Sequence, residues 1–148
     1  MSVPKEKNVL YIALTLTDES QEKLKNWFLN EKMPLIQKSY MYWNDYTVYC
    51  HHMTIVFHTE MTTKLYKWAV SHNEEKFKIT ANQFGMSDKA IAVGVKTLCP
   101  SNNEIKHITL ATNKSNDGKP VDSNYILNWK DIMPIELEGV VTIYEKVK

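Results

Sequence analysis

The shortness of the connections between apolar runs constrains the fold of this chain more than any other feature. Val9 to Leu16 is a short apolar run rich in β-formers and predicts a buried strand. Phe77 to Phe84, Lys89 to Val95, Ile105 to Thr112 and Ile135 to Tyr144 read the same way, and Tyr46 to Phe57 is strand-like. Only a turn at Gly85 separates the second of these runs from the third. A parallel neighbour would need a crossover of about a dozen residues or more. Two amphipathic helices alternate with the strands. One follows a capping Asp18, with Gln21 three residues later and Leu24, Trp27 and Phe28 on one face. The other spans Met61 to His72, with Leu65, Trp68 and Ala69 as its stripe. Residues 30–45, around Pro34, read as irregular, Pro100 to Glu104 as a loop, Asn113 to Pro120 as a polar turn, and Asp122 to Trp129 as a short helix. The expected fold is one α+β domain over residues 1–148 with mostly antiparallel sheet.

Composition narrows the function. No stretch approaches the roughly 18 apolar residues that span a bilayer, and the polar Met1 to Asn8 lacks the apolar core of a signal peptide. Cys50 and Cys99 are too few for a disulfide framework and read as reduced thiols, which suits a cytoplasmic protein. A net charge of +1 offers no strong field to duplex DNA or a membrane surface. The chain has no arginine, so phosphate must be met by lysine, histidine, hydroxyl or backbone groups. This Lys- and Asn-heavy usage also fits an AT-rich, viral genome, and with it the host cytoplasm.

Two tripeptides carry the chemistry. Side chains alternate across a strand, so His52 and Thr54 share one face while Met53, Ile55 and Phe57 take the other. His107 and Thr109 repeat the arrangement, with Ile108 and Leu110 opposite. Each strand buries its apolar side and presents an imidazole with a hydroxyl. Cleaving a phosphodiester needs a base for the nucleophile and an acid for the leaving oxygen, and a histidine pair divides those roles near neutral pH. Two threonine hydroxyls would stabilise charge growing on the non-bridging oxygens. The competing reading is two half-buried structural histidines beside threonines that favour strands anyway.

The pair His52-Met53-Thr54-Ile55 and His107-Ile108-Thr109-Leu110 resembles the His-Φ-Thr-Φ signature, Φ apolar, of the two-histidine (2H) or LigT-like phosphoesterases. The resemblance implies a bilobal α+β fold whose two motif strands face each other across a central cleft. It implies that His52 and His107 act as general base and acid and that Thr54 and Thr109 bind phosphate, with no metal and no cofactor. It also places the first strand, with Tyr11, at the border of the cleft. Two departures stand out. Lys106 adjoins His107 but should point to the opposite face, and the short interval from His52 to His107 implies reduced substrate loops.

Further candidates surround these motifs. Among Tyr40, Tyr42, Trp43 and Tyr46, Trp43 is a candidate for stacking on a nucleobase; a satellite core is the competing and favoured reading of the cluster. Tyr11 either contacts substrate or packs in the core. Residues 119–124 either line the cleft with polar groups or start a helix capped by Asp122. Glu138 is a candidate for accepting a hydrogen bond from a base, although a solvated sheet face explains both Glu136 and Glu138. His51 is expected to be solvated or packed. His58 shares the face of His52 but lies about 20 Å along the strand, too far to share a metal. No HExxH, Gly-x-Ser-x-Gly or phosphate-cradling Gly-rich loop is present.

The resulting expectation is a metal-independent phosphodiesterase acting on a small nucleotide. A cyclic or oligonucleotide immune second messenger, such as a cyclic dinucleotide destroyed in viral immune evasion, fits the compact chain best. An RNA-end 2′,3′-cyclic phosphate or a 2′–5′ bond is the alternative, though a long RNA would profit from an extended basic groove. A non-catalytic module that sequesters a nucleotide is the alternative of another class.

Overall fold

The computed structural model describes residues 3–39 and 43–147. The chain forms β1 (Val9–Leu16), α1 (Asp18–Trp27), α2 (Met33–Ser39), β2 (Tyr46–Val48), β3 (His52–Phe57), α3 (Thr63–Ser71), β4 (Lys76–Met86), β5 (Ala90–Lys96), β6 (His107–Asn113) and β7 (Trp129–Glu145). All strand pairings are antiparallel. The order is β2-β6-β3-β1-β7-β4-β5, and β5 returns to β6, so the sheet closes into a barrel. Closure removes the open sheet edge. The fold is α+β, as expected.

The barrel is not sealed evenly. The seam between β3 and β6 rests on one ladder pair, Met53 with Ile108, whereas β4 and β7 pair along most of their length. Both residues of that pair are fully buried in the common core with Ile12, Leu14, Ile79, Ile91 and Leu110. At roughly 25 cal/mol per Å² of apolar area removed from water, such contacts supply most of the gain on folding.

Helices pack on this core. Thr17, rather than the expected Asp18, caps α1: its Oγ1 accepts from the Ser20 N–H at 3.2 Å, and Asp18 falls in the first turn. Leu24 and Phe28 are fully buried and Trp27 packs at the core's edge. Residues 28–39, expected in part to be irregular, continue as helix. A π-helical turn, Phe28–Lys32, leads into α2, and its wider ladder accommodates Pro34, which has no N–H to give. The apolar Met33 and Ile36 then drive α2 onto the core. Thr62 caps α3, which buries Ala69 and packs Leu65 and Trp68.

The expected turn at Gly85 is not there. Gly85 lies within β4, opposite Ala92 and Trp129. The chain reverses at 87–89, where the Ser87 hydroxyl accepts from the N–H groups of Lys89 and Ala90. A Cβ at Gly85 would come within 2.6 Å of the Trp129 ring, so the glycine answers to packing. The expected helix after Asp122 is a 3₁₀ turn, Pro120–Tyr125, and β7 starts earlier than its apolar run suggests, at Trp129.

Candidate active site

Each motif strand carries the same irregularity. Along β1 and β3, Ile12 pairs with Val56 and Ala13 with Thr54, leaving Ile55 as an extra residue. Along β5 and β6, Ile91 pairs with Ala111 and Ala92 with Thr109, leaving Leu110 extra. A β-bulge thus follows the threonine in both motifs, and bulges re-aim neighbouring side chains. Strand alternation fails there: Ile55 and Val56 are both buried, as are Leu110 and Ala111. For the same reason Phe57, expected on the core face with Ile55, is 44% exposed at the pocket rim.

The Met53–Ile108 pair sits at the centre of a local twofold arrangement. Continuing its antiparallel register by one residue each way sets His52 beside Thr109 and Thr54 beside His107. The two imidazoles therefore lie on a diagonal, with the threonines on the other. All four side chains line one pocket of about 900 Å³.

The two histidines differ in their second nitrogen. His107 Nδ1 lies 2.8 Å from the Ile105 carbonyl oxygen. A carbonyl only accepts, so Nδ1 carries the proton and Nε2 keeps a free lone pair. His52 Nδ1 instead meets His51 Nδ1 at 2.9 Å, with the two rings close to perpendicular. Burial lowers the pKa of His52 to about 4, helped by His51 and His107 nearby. Burial also lowers that of His107, partly offset by the Ile105 carbonyl. Both rings are thus neutral near pH 7.

Sequence reasoning misplaced His51. Alternation puts it opposite His52, but Cys50 adopts a left-handed backbone, φ 51°. This kink separates β2 from β3 and turns two consecutive imidazoles toward one pocket. Ser123, within the 119–124 stretch offered as a cleft lining, is nearly fully buried, and its Oγ lies 2.8 Å from Thr109 Oγ1. The loop before β6 is strapped to the first motif, where the Ser101 hydroxyl donates to the Thr54 carbonyl at 2.8 Å. Trp129 also lines the pocket, its indole N–H donating to the Ile126 carbonyl. Pro120, Val121, Ser123 and Asn124 line it as well, while the Asp122 carboxylate accepts from the Lys119 N–H at the start of the 3₁₀ turn.

Of the three substrate-contact candidates, one reaches the pocket. Tyr11 lines it, stacked on Tyr144 at 4.4 Å and 5.4 Å from the His52 ring. Trp43 does not: it is fully buried in the core, where its large apolar surface is better placed than in solvent. Tyr40 and Tyr42 of the same cluster lie outside the described residues. Glu138 is also misplaced. It is exposed on β7 beside α1, where its N–H donates to Ser20 Oγ and its carbonyl accepts from the Thr17 N–H. Glu136 accepts from Thr80 Oγ1 on the solvated face of the sheet. His58 falls in a 3₁₀ turn beyond β3 and packs against Phe57 with the rings tilted by 45°, not along the face of His52. Lys106 Nζ donates to the Thr97 carbonyl, away from the pocket. Among the described residues no three His, Cys, Asp or Glu side chains converge as a metal-binding group. No described helix is long and apolar enough to cross a membrane.

No protein-family model matches the chain. No curated protein matches it either. Solved structures do: a crystal structure of a fungal RNA kinase superposes with a TM-score of 0.53 at 14% identity. The match covers 98% of this chain and 45% of that one, so the chain spans less than half the length of its structural neighbour. At this identity the likeness bears on the fold.

Proposed function

We propose that the chain is a metal-independent phosphodiesterase of the two-histidine class, using His52 and His107 for acid–base cleavage of a small nucleotide. The diagonal His–Thr quartet supports this reading above all. It offers two imidazoles on one diagonal of a shared pocket and two hydroxyls that could meet the non-bridging oxygens. On this reading the pocket is the cleft of that family, with one lobe carrying each motif. His107, with Nε2 free, takes the proton from the attacking hydroxyl or water. His52 serves the leaving oxygen. Thr54 and Thr109 hold the phosphoryl oxygens, and Ser123 fixes the Thr109 hydroxyl.

The composition of the pocket wall supports a small substrate. Its described lining contains no lysine, and its carboxylates are Glu60 and Glu104. Such a wall suits a cyclic dinucleotide or a short oligonucleotide messenger in the cytoplasm, including one destroyed by a virus. A second reading draws on the fungal RNA kinase: an RNA end bearing a 2′,3′-cyclic phosphate would enter the same site. Incubation with cyclic dinucleotides, cyclic trinucleotides, 2′–5′ oligoadenylate and 2′,3′-cyclic nucleotides in EDTA, read by chromatography, separates the two. His52→Ala and His107→Ala should each lose at least about 100-fold in kcat while remaining folded. Binding without any product would sink catalysis and leave a sequestering module. Activity abolished by EDTA and restored by magnesium would sink the metal-free mechanism.

A further inference from the structure

His52 poses a difficulty for the mechanism just given. A group that protonates a leaving oxygen must have a proton to give, yet its burial and its histidine neighbours keep the His52 ring neutral near pH 7. The His51 ring 2.9 Å away resolves it. Two Nδ1 atoms at that distance share one proton, because two lone pairs facing each other would repel.

We propose that His51 and His52 act as a proton-sharing dyad in which His51 donates Nδ1–H to His52 Nδ1, leaving His52 with Nε2–H aimed into the pocket and making it the acid opposite the base His107. The inference rests on the phosphodiesterase reading for its chemical role, and on the ring geometry for the dyad itself. The ionisable groups facing His52 are Tyr11 from β1, Tyr144 behind it from β7, His107 from β6 and His51. Glu60 and Glu104 line the same pocket. None of these but His51 is hydrogen-bonded to the His52 ring.

The step balances. At the start His51 carries protons on both nitrogens and His52 on Nε2. The attacking oxygen gives its proton to His107 Nε2 and bonds to phosphorus. The bond from phosphorus to the leaving oxygen breaks, and its electron pair stays on that oxygen, which takes the His52 Nε2 proton. His52 Nδ1 takes the His51 Nδ1 proton in the same motion. The dyad ends neutral and His107 ends charged; the His107 Nε2 proton then returns through solvent to His52 Nε2, while the His52 Nδ1 proton goes back to His51 Nδ1, which restores the starting state.

Two variants of the full chain test it. His51→Asn keeps an N–H donor toward His52 Nδ1 but has no proton to pass on; His51→Phe removes both. Two-bond proton–nitrogen spectra of the labelled protein should place the neutral-pH proton of His107 on Nδ1 and that of His52 on Nε2. His51→Asn should preserve the His52 pattern, and His51→Phe should scramble it. Kinetics use two probes, adenylyl-3′,5′-adenosine and adenosine 3′-(4-nitrophenyl) phosphate. Nitrophenolate leaves without a proton. His51→Asn should therefore lose about 100-fold on the first and less than about tenfold on the second. Equal losses on both esters, or no loss on either, overturn the proposal. So does a wild-type His52 protonated on Nδ1. If the wild-type chain cleaves neither ester, the phosphodiesterase reading is at fault for these substrates, and the spectra alone decide the dyad.

Discussion

A buried imidazole that stays neutral ties stability to pH, and the sign is fixed by which state binds the proton. Unfolded, His52 titrates near 6.5; folded, near 4. Between those values the unfolded chain takes up a proton that the native chain refuses. His52 therefore contributes stability that is whole above about pH 6.5 and lost as pH falls toward about 4, amounting to roughly 3 kcal/mol before any relaxation of the site. Urea midpoints measured across this range should fall toward acid, and His52→Gln should flatten the slope. An unchanged slope in the variant would assign the acid sensitivity elsewhere. His107, lowered for the same cause, adds a loss of the same sign below about pH 6.5. The hydroxyl pair makes a separate claim. Ser123→Ala leaves Thr109 Oγ1 without its 2.8 Å partner and should cost about 1 kcal/mol in stability. Its kinetic mark should be a lower kcat with KM nearly unchanged, because the oriented hydroxyl matters most when charge has grown on phosphorus's oxygens. A rise in KM alone would show that Thr109 holds substrate and transition state equally.

Elements position these residues through their irregularities. The pairing of histidine with threonine was legible because both lie where strand alternation holds, just before each bulge. Phe57 and His58 were misread because they lie after one. His51 was misread because alternation offers no sign of the left-handed Cys50 before it. Trp43 and Glu138 were misassigned for a different reason. Their chemistry suits a binding role, but the direction in which a side chain faces is set by tertiary packing that local pattern does not encode. Gly85 illustrates the coupling of element to site. Its missing Cβ lets Trp129 and Ile126 lie flat against β4, and both residues line the pocket. Gly85→Ala forces that wall outward or strains β4, at a cost of about 1–3 kcal/mol. The expected outcome is a lower thermal midpoint together with a raised KM, checked by thermal denaturation and steady-state kinetics. Lost stability with an unaltered KM would mean that the wall takes no part in holding substrate.

At the scale of the whole molecule, closure of the sheet decides what kind of substrate can be held. Antiparallel strands and short links were enough to read α+β from the sequence, but closure was not. It depends on β5 returning to β6, a long-range pairing that local periodicity does not report. Closure brings β3 and β6 together at a thin seam, and the quartet sits on that seam. The lysines of the described chain lie elsewhere: none of the described pocket residues is a lysine, and Lys106 is turned to the Thr97 carbonyl. On the proposed reading phosphate is met by hydroxyls and imidazoles, which release no counterions when a ligand binds. A protein that neutralises 6–10 phosphates loses about 10³–10⁵ in affinity between 50 and 200 mM salt. Here KM for a cleaved cyclic dinucleotide should change by less than about threefold over that range, because hydrogen-bonded recognition is only weakly screened. Steady-state kinetics at four or five salt concentrations would measure the slope. A steep slope would place a basic track beyond the pocket and favour RNA over a small messenger. A shallow slope, with turnover intact, ties specificity to the lysine-free pocket wall.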